Sequence, residues 1–184
     1  VMNQEGFVNL NKLAYKSYTE GFYHRCRIKT DWLIENKNGL FVTTSCAVSH
    51  MSKLVREGNT AEAEEYLKML IREFGDNLAV ELQFNEFDGQ KIYNDWLIKM
   101  YKKYDLMPIL TNDVHYAFPE EAKLQDTLIA INQKTQLGKA FKLETRNLYY
   151  ANADDFHNFN KKFGFNYSED FIDLCLENTL KVVD

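Results

Sequence analysis

Residues 107–122 read MPILTNDVHYAFPEEA. The apolar run 107–110 is typical of a buried strand, and Asp113 and His115 follow it directly. Residues i and i+2 of an extended backbone point to the same side, so these two side chains are predicted to project together. Pro119 with the two glutamates behind it predicts a helix start, and that helix is expected to run to Asn132. The stretch therefore predicts a strand, then a carboxylate and an imidazole at its carboxyl end, then a helix.

The same alternation extends to both sides of this stretch. Strands are predicted at 40–46 (LFVTTSC), 78–84 (LAVELQF) and 107–113, and residues 143–152 are predicted to be extended. Helices are predicted at 60–74 with Thr60 as the cap, at 89–105 with Ile92, Trp96, Leu97 and Met100 inward, and at 168–184 with Ser168 as the cap. This order predicts an α/β fold class with parallel strands and helical crossovers.

Composition limits the class of protein. The 184 residues suffice for one domain, and 45% hydrophobic with 27% charged residues is ordinary for a globular chain. A net charge of −5 argues against a domain that holds DNA by its own field, and no apolar run reaches membrane-span length. Three widely spaced cysteines without a CxxC pattern favour a reducing compartment, so a cytoplasmic location is expected. The chain opens Val-Met, and we expect it to be a piece of a longer polypeptide.

Asp113 and His115 have two interpretations. A carboxylate beside an imidazole suits Zn, Mn or Fe at the carboxyl end of a parallel strand, where α/β folds bind their ligands. Alternatively, the Asp orients the His or caps the next turn. Cys46 ends another predicted strand and could join the pair as a thiolate ligand, although a buried core cysteine is the commoner case. His50 could be a further ligand or an exposed residue at a helix start.

Two further polar groups leave alternatives open. Glu81 and Gln83 share one strand face, where they could supply a base or accept hydrogen bonds from metal ligands. The preferred interpretation is a polar pair that satisfies neighbouring backbone groups. Lys134, Lys139, Lys142 and Arg146 could approach a phosphate backbone, with a solvated loop face as the favoured alternative.

Several segments resemble one family in the same order over nearly the whole chain. PILTNDVHYAFPEEAKLQDTLIAI resembles a segment of the polymerase and histidinol phosphatase (PHP) domain in bacterial or phage DNA polymerase III alpha subunits. NQEGFVNLNKLAYKSYTEGFY, GLFVTTSCAVSH, LAVELQ and ENTLKVVD are similar to further segments of that domain. One departure is Val48-Ser49, which stands where the family usually has Gly-Gly after the cysteine.

The resemblance implies a fold and a site. It implies part of a distorted seven-stranded (β/α) PHP barrel, with residues 1–184 as the C-terminal two-thirds of one domain. The N-terminal ligand strands and the polymerase palm would lie outside this chain, and the segment alone would be inactive and would need the N-terminal part for stability. Cys46, Asp113 and His115 match metal-ligand positions, and Asp113 and His115 would be catalytic.

The resemblance also implies a function. The parent would be a DNA-directed DNA polymerase whose PHP domain binds divalent Zn, Mn or Fe and trims DNA in the 3′-5′ direction. Alternatively, the domain is a scaffold that docks a proofreading exonuclease. A free-standing PHP phosphoesterase is disfavoured by the E-G-F-Y and E-L-Q matches. Expected partners are the rest of the alpha chain, DNA through the parent protein and an exonuclease subunit, with no membrane.

Overall fold

The computed structural model describes residues 1–143 and 145–183, apart from the side chain of Asp88. Three strands alternate with helices along the middle of the chain, and further helices lie before and after them. The helices are α1 Gln4–Thr19, α2 Thr30–Glu35, α3 His50–Arg56, α4 Thr60–Phe74, α5 Asp88–Tyr104, α6 Ala122–Asn132, α7 Ala153–Lys162 and α8 Glu169–Lys181. The strands are β1 Val42–Thr43, β2 Leu78–Gln83 and β3 Met107–Thr111.

The strands form one open sheet in the order β1-β2-β3, and both pairings are parallel. Thr43 pairs with Ala79, and Gln83 pairs with Thr111. Parallel neighbours need long crossovers, which α3 and α4 supply between β1 and β2 and α5 supplies between β2 and β3. The predicted parallel α/β arrangement is confirmed for this sheet, which does not close into a barrel within the described residues.

The two faces of β2 carry different chemistry. Leu78, Val80 and Leu82 face the helices and are buried. They belong to two apolar clusters, one formed with α3, α4 and α5 and one with α7 and α8. The opposite face carries Glu81 and Gln83. The sheet therefore has one apolar face against helices and one face with polar groups near its carboxyl end.

The outer edge of β3 is covered by α8. The Thr179 hydroxyl accepts the Leu110 N–H at 3.2 Å and lies 3.0 Å from the Leu110 carbonyl oxygen. The Asn178 amide donates to the Pro108 carbonyl at 2.9 Å. These side chains satisfy backbone groups that an unpaired strand edge would expose, so α8 protects this edge from pairing with another chain.

Helix α1 lies against the loop before β1. A Cβ atom added to Gly6 would lie 1.9 Å from the Gly39 carbonyl oxygen, so only glycine permits this approach. Leu13, Trp32 and Leu40 form a small apolar cluster at the same junction. The glycine of the NQEG motif therefore serves the packing of α1 on the strand that leads to the candidate site.

Residues 145–150 form what we call the crossing segment, which passes over the carboxyl ends of β2 and β3. The Asn147 amide donates to the Phe84 carbonyl at 2.7 Å, and the Thr145 hydroxyl accepts the Glu86 N–H at 3.1 Å. Tyr149 makes a parallel bridge with Tyr116. The extended backbone predicted for 143–152 is thus confirmed at this bridge, while Glu144 lies outside the described residues.

Several predicted details are wrong. The strand predicted at 40–46 is limited to Val42–Thr43, because these are the residues of this stretch that pair with β2. Asn59, rather than Thr60, is the N-cap of α4, and it makes no side-chain capping bond. Ile92 is 54% exposed, and Tyr93, one residue further round the helix, is fully buried instead. A 3-10 turn occupies Pro119–Glu121, so α6 begins three residues after the predicted start.

Other predictions hold. Ser168 caps α8 by accepting a hydrogen bond from the Phe171 N–H, and Trp96, Leu97 and Met100 are buried. Helix α8 ends at Lys181, before the predicted end, and Asp184 lies outside the described residues. Of the helices in residues 1–143 and 145–183, none combines the length and apolar character that a membrane span requires.

Candidate functional site at the strand ends

Asp113 and His115 lie together just after β3. Oδ2 of Asp113 is 3.2 Å from Nε2 of His115, and both side chains are partly exposed. This confirms the prediction that the two side chains project to the same side at the carboxyl end of the strand. The pair forms an ion pair when the imidazole is protonated, and its position beside solvent leaves both groups accessible to a ligand.

The backbone around this pair is fixed by the crossing segment. The His115 N–H donates to the Leu148 carbonyl at 2.8 Å. The Asn112 amide nitrogen donates to the carbonyls of Asn147 and Tyr149, at 3.0 Å and 2.6 Å. Three hydrogen bonds therefore hold Asn112 and His115, which lie on either side of Asp113 in the chain, in place. Sequence reasoning missed Asn112, because its partners lie more than 30 residues away in the chain.

Cys46 follows β1 and is half-buried. Its neighbour Ser45 has φ of 64°, a left-handed conformation that non-glycine residues adopt rarely and that re-aims the chain at the end of the strand. β2 lies between β1 and β3, so two strand spacings, roughly 10 Å, separate the ends of these strands. Within the described residues, no three or more His, Cys, Asp or Glu side chains come together as a metal-binding group. The structure therefore joins Asp113 to His115 without Cys46.

Glu81 lies between the two outer strands and binds both. Its Oε1 accepts the Thr111 hydroxyl at 2.6 Å and the Gln83 amide at 3.2 Å, and its Oε2 accepts the Thr43 hydroxyl. The Asn85 amide extends this network by donating to Gln83 Oε1 at 3.0 Å. We call Glu81, Gln83, Thr43 and Thr111 the Glu81 network.

The Glu81 network connects the strand that leads to Cys46 with the strand that leads to Asp113. The preferred interpretation, in which the Glu81 and Gln83 side chains satisfy neighbouring backbone groups, is wrong. Both side chains bind hydroxyl or amide groups of other side chains instead. Sequence reasoning found Glu81 and Gln83 by their two-residue spacing. It missed Thr43 and Thr111, because the register that places them beside Glu81 cannot be deduced from local pattern.

Tyr93 connects the apolar core to the strand ends. Its hydroxyl donates to the Thr44 carbonyl at 3.0 Å, and its side chain is fully buried in the cluster of α3, α4 and α5. Burial raises the pKa of Tyr93 to about 12, because the phenolate would be poorly solvated there. Helix α5 is therefore tied by a neutral hydrogen bond to the residue between Thr43 and Ser45.

His50 and His157 have neighbours other than the Asp113–His115 pair. His50 begins α3, as one of its two interpretations held, and its ring meets the Tyr66 ring edge-on at 5.5 Å. His157 on α7 has its Nε2 atom 3.0 Å from Oδ1 of Asp173 on α8. This second Asp–His pair has no counterpart in the sequence predictions, and it provides an internal control for the pair at the strand end.

The matched family is the PHP domain, whose model covers residues 1–85. The alpha subunit of DNA polymerase III from Aquifex aeolicus is 33% identical over 81% of this chain and 13% of its own length. The protein of the same name from Treponema pallidum is 34% identical over 72% of this chain and 11% of its own length. That from Borreliella burgdorferi is 30% identical over 99% of this chain and 15% of its own length.

This chain is homologous to the PHP-domain segment of DNA polymerase III alpha subunits. The resemblance drawn from its motifs is thereby confirmed. The chain spans about a ninth to a seventh of the length of these relatives, with shares of 11% to 15%. Most of the length of an alpha subunit therefore has no counterpart in this chain.

The side chains of this PHP-domain segment fit part of a metal site. Asp113 offers a carboxylate oxygen and His115 an imidazole nitrogen, which are common ligands of Zn, Mn and Fe. A protein metal site takes three or four such donors, and the described residues bring only these two together. The donor chemistry of the pair fits such an ion, and its two donors are fewer than a complete ligand set.

Proposed function

We propose that this chain is the C-terminal two-thirds of the PHP domain in a replicative DNA polymerase III alpha subunit, a DNA-directed DNA polymerase. Within the complete domain, part of a distorted seven-stranded (β/α) barrel, Cys46, Asp113 and His115 would hold a divalent Zn, Mn or Fe ion for 3′-5′ trimming of DNA. The observation that carries the proposal is the Asp113–His115 pair, 3.2 Å apart at the carboxyl end of β3. This segment alone would neither polymerise nor trim.

The residues present have distinct tasks in this proposal. A divalent ion held by Cys46, Asp113 and His115 would supply an activated water and polarise the phosphodiester. Asp113 would offer a carboxylate oxygen and His115 an imidazole nitrogen to the cation, and the remaining coordination positions would be open to a phosphate. The Asn112 hydrogen bonds keep both side chains aimed at solvent, where a DNA 3′ end would enter. The Glu81 network keeps the strand of Cys46 aligned with that of Asp113.

The second candidate is a scaffold that docks a separate proofreading exonuclease. It is favoured by the absence of a third ligand beside Asp113 and His115 among the described residues. In that case the pair would be a structural ion pair, like His157 with Asp173. The two functions differ in metal content and in nuclease activity.

The test uses the complete alpha subunit that contains this segment. Metal content is measured by mass spectrometry, and trimming is measured on a primer labelled at its 5′ end. The variants are Asp113→Ala, His115→Ala and Cys46→Ser, and the matched control is His157→Ala, which removes the histidine of the other Asp–His pair. Metal occupancy is expected to fall by roughly tenfold or more in the three site variants. Trimming is expected to fall with it, and the control should retain both.

Each alternative result has a defined meaning. A wild-type alpha subunit without metal and without trimming would overturn the nuclease proposal, and co-purification of an exonuclease would then favour the scaffold. Loss of metal in the Asp113 and His115 variants but not in Cys46→Ser would remove Cys46 from the ligand set. Equal losses in the site variants and in His157→Ala would mean that general destabilisation is being measured.

A further inference from the structure

Residues 22–29 (FYHRCRIK) form an exposed loop between α1 and α2, which we call the 22–29 loop. Phe22 and Tyr23 are 59% and 66% exposed, so both rings are accessible to a ligand. The loop contains three arginine or lysine residues and no carboxylate, whereas the whole chain has a net charge of −5. It is therefore a local exception to the acidic character of the chain, and it places positive charge beside exposed aromatic rings.

The positive charges of the 22–29 loop are not neutralised by neighbouring acids. Among the side chains that the structure describes, no carboxylate lies at ion-pair distance from the three basic residues of the loop, Arg25, Arg27 and Lys29. The nearest carboxylates along the chain belong to Glu20, at the end of α1, and Asp31, in the first turn of α2. The stretch that includes both acids is still net positive. The loop therefore presents positive charge to an anionic ligand.

The shape of the loop is held at its base and at its tip. A Cβ atom added to Gly21 would lie 1.9 Å from the Arg27 carbonyl oxygen, so only glycine lets the two ends of the loop approach this closely. At the tip, His24 has φ of 58°, and the Tyr23 N–H donates to the Arg25 carbonyl at 3.1 Å. These contacts order the loop before any ligand arrives, which lowers the entropy cost of binding.

Positive charge and ring surface lie in contact within the loop. The Arg27 guanidinium lies over the Tyr23 ring, 5.4 Å from its centroid. The His24 ring meets the Tyr23 ring edge-on, with 4.5 Å between their centroids. Proteins that bind single-stranded nucleic acid combine basic side chains along the phosphates with aromatic rings on which bases stack. The 22–29 loop has both kinds of group within a few residues.

We propose that the 22–29 loop binds single-stranded DNA, with its basic side chains on the phosphates and its two aromatic rings stacked on bases. This inference rests on the proposed function, because it takes the parent to be a DNA polymerase, an enzyme that copies a single template strand. The loop lies beside β1, since Ile28 lines one groove together with Val42 and Thr43. Thr43 also binds Glu81, so the loop lies on the β1 side of the Glu81 network.

The exposed rings favour a single strand over other anionic partners. The bases of a duplex are stacked on each other, so a duplex offers phosphates to the loop but no free base to Phe22 or Tyr23. An acidic peptide also carries negative charge, but it does not place a planar ring beside every charge, as a nucleic-acid strand does. Single-stranded DNA therefore matches both kinds of side chain in the loop.

The test is photo-crosslinking in the complete alpha subunit, with a 5′-labelled oligothymidylate as the probe. Tyr23 is replaced by p-benzoylphenylalanine, and the control carries the same photo-reactive residue at Tyr15, which is 69% exposed on α1. Lys12 and Lys16 are close to Tyr15 in the sequence, so the control also has lysines nearby. The Tyr23 position should give at least about fivefold more crosslink to DNA, the ratio expected when one base stacks in the loop.

Charge reversals in the protein labelled at Tyr23 test the phosphate contacts. Arg25→Glu should lower the yield of the DNA crosslink several-fold, because a carboxylate would repel the phosphates. Lys12→Glu makes the same kind of change at an exposed residue of α1 and should alter the yield less than about twofold. Lys12 lies roughly 10 Å along the helix axis from the end of α1, which exceeds the Debye length of about 8 Å at physiological salt.

Four results would overturn the proposal. These are a yield at Tyr23 no higher than at Tyr15, an equal yield when the oligothymidylate is supplied as a duplex, equal losses from Arg25→Glu and Lys12→Glu, and a crosslink to protein that added DNA does not reduce. None of these depends on metal content, and a 5′ label survives 3′ trimming, so failure of the DNA-binding loop is distinguishable from failure of the nuclease proposal. DNA synthesis by the labelled protein on a primed template shows that the alpha subunit has folded.

Discussion

Helices α5 and α6 flank β3 in the chain and differ in what covers them. Helix α5 buries Tyr93, Trp96, Leu97 and Met100 in the cluster with α3 and α4. Helix α6 buries Ala130 alone and exposes three of its four large aliphatic side chains, Leu124, Leu128 and Ile131. The apolar face of α5 is thus covered by this chain, whereas most of the apolar side chains of α6 stay exposed. Apolar periodicity predicts that a helix has a partner face, but it does not say whether the partner lies in the same segment.

The largest expected difference is between Leu97→Ala and Leu128→Ala. Leu97 is fully buried, so its truncation should lower the free energy of unfolding by about 2–5 kcal/mol. Leu128 is exposed, so in a protein limited to the complete PHP domain its truncation should cost less than about 0.5 kcal/mol. Urea unfolding of the two variants measures both values. Equal costs for the two substitutions would remove the distinction between the helices.

Substitution in the Glu81 network is expected to have the next largest effect on the unfolding free energy. Glu81→Ala leaves the Thr43 and Thr111 hydroxyls and the Gln83 amide without their acceptor, and we expect a loss of about 1–3 kcal/mol in unfolding free energy. Glu81→Gln retains one acceptor oxygen and should cost less. Urea unfolding of the complete PHP domain measures both. Glu65→Gln, at an exposed helix position, is the control and should be nearly neutral.

The sequence predicted the backbone of the central elements well and their surroundings poorly. β2 and α5 are close to their predicted limits, because their apolar patterns and breaking residues are local signals. The Asp113–His115 pair follows from a local two-residue spacing in the same way. Thr43 beside Glu81 depends on strand register, and Ile92 in solvent depends on the phase of α5 against the sheet. Neither quantity is encoded within a short window.

Tyr93 couples the two regions, and its contribution should depend on pH. Tyr93→Phe removes the hydrogen bond to the Thr44 carbonyl, at an expected cost of about 1 kcal/mol near neutral pH. The folded-state pKa is about 12, above the ordinary 10, so the folded protein retains a proton that the unfolded chain loses between these values. The hydroxyl's contribution is therefore present below pH 10 and is lost as the pH rises toward 12.

Unfolding of the complete PHP domain by urea, followed from pH 8 to pH 11.5, would measure this dependence. Burial also raises the pKa of Tyr149 to about 12 and that of the Cys175 thiol to about 12, so the wild type should lose stability through several groups. The unfolding free energy of Tyr93→Phe should fall less steeply with pH, because the contribution of the Tyr93 hydroxyl is missing. Parallel curves for the two proteins would mean that Tyr93 is not buried beside Thr44.

The smallest expected effect is a difference in unfolding free energy between glycine substitutions at two serines that follow β1. Ser45 has φ of 64°, a conformation that costs an L-residue roughly 1–2 kcal/mol and costs glycine little. Ser45→Gly should therefore raise the unfolding free energy by up to about 1 kcal/mol, after the greater entropy of glycine in the unfolded chain is subtracted. Ser49 is extended, and its hydroxyl caps α3 by accepting the Ser52 N–H at 3.2 Å.

Ser49→Gly is the matched control, because it makes the same chemical change four residues away. It should lower stability by a few tenths of a kcal/mol, since glycine retains most of the backbone preference of a helix cap but not its hydrogen bond. Opposite signs in urea unfolding would show that the turn before Cys46 is held in a strained conformation by its surroundings. Losses at both serines would show that the left-handed conformation of Ser45 carries no strain for glycine to relieve.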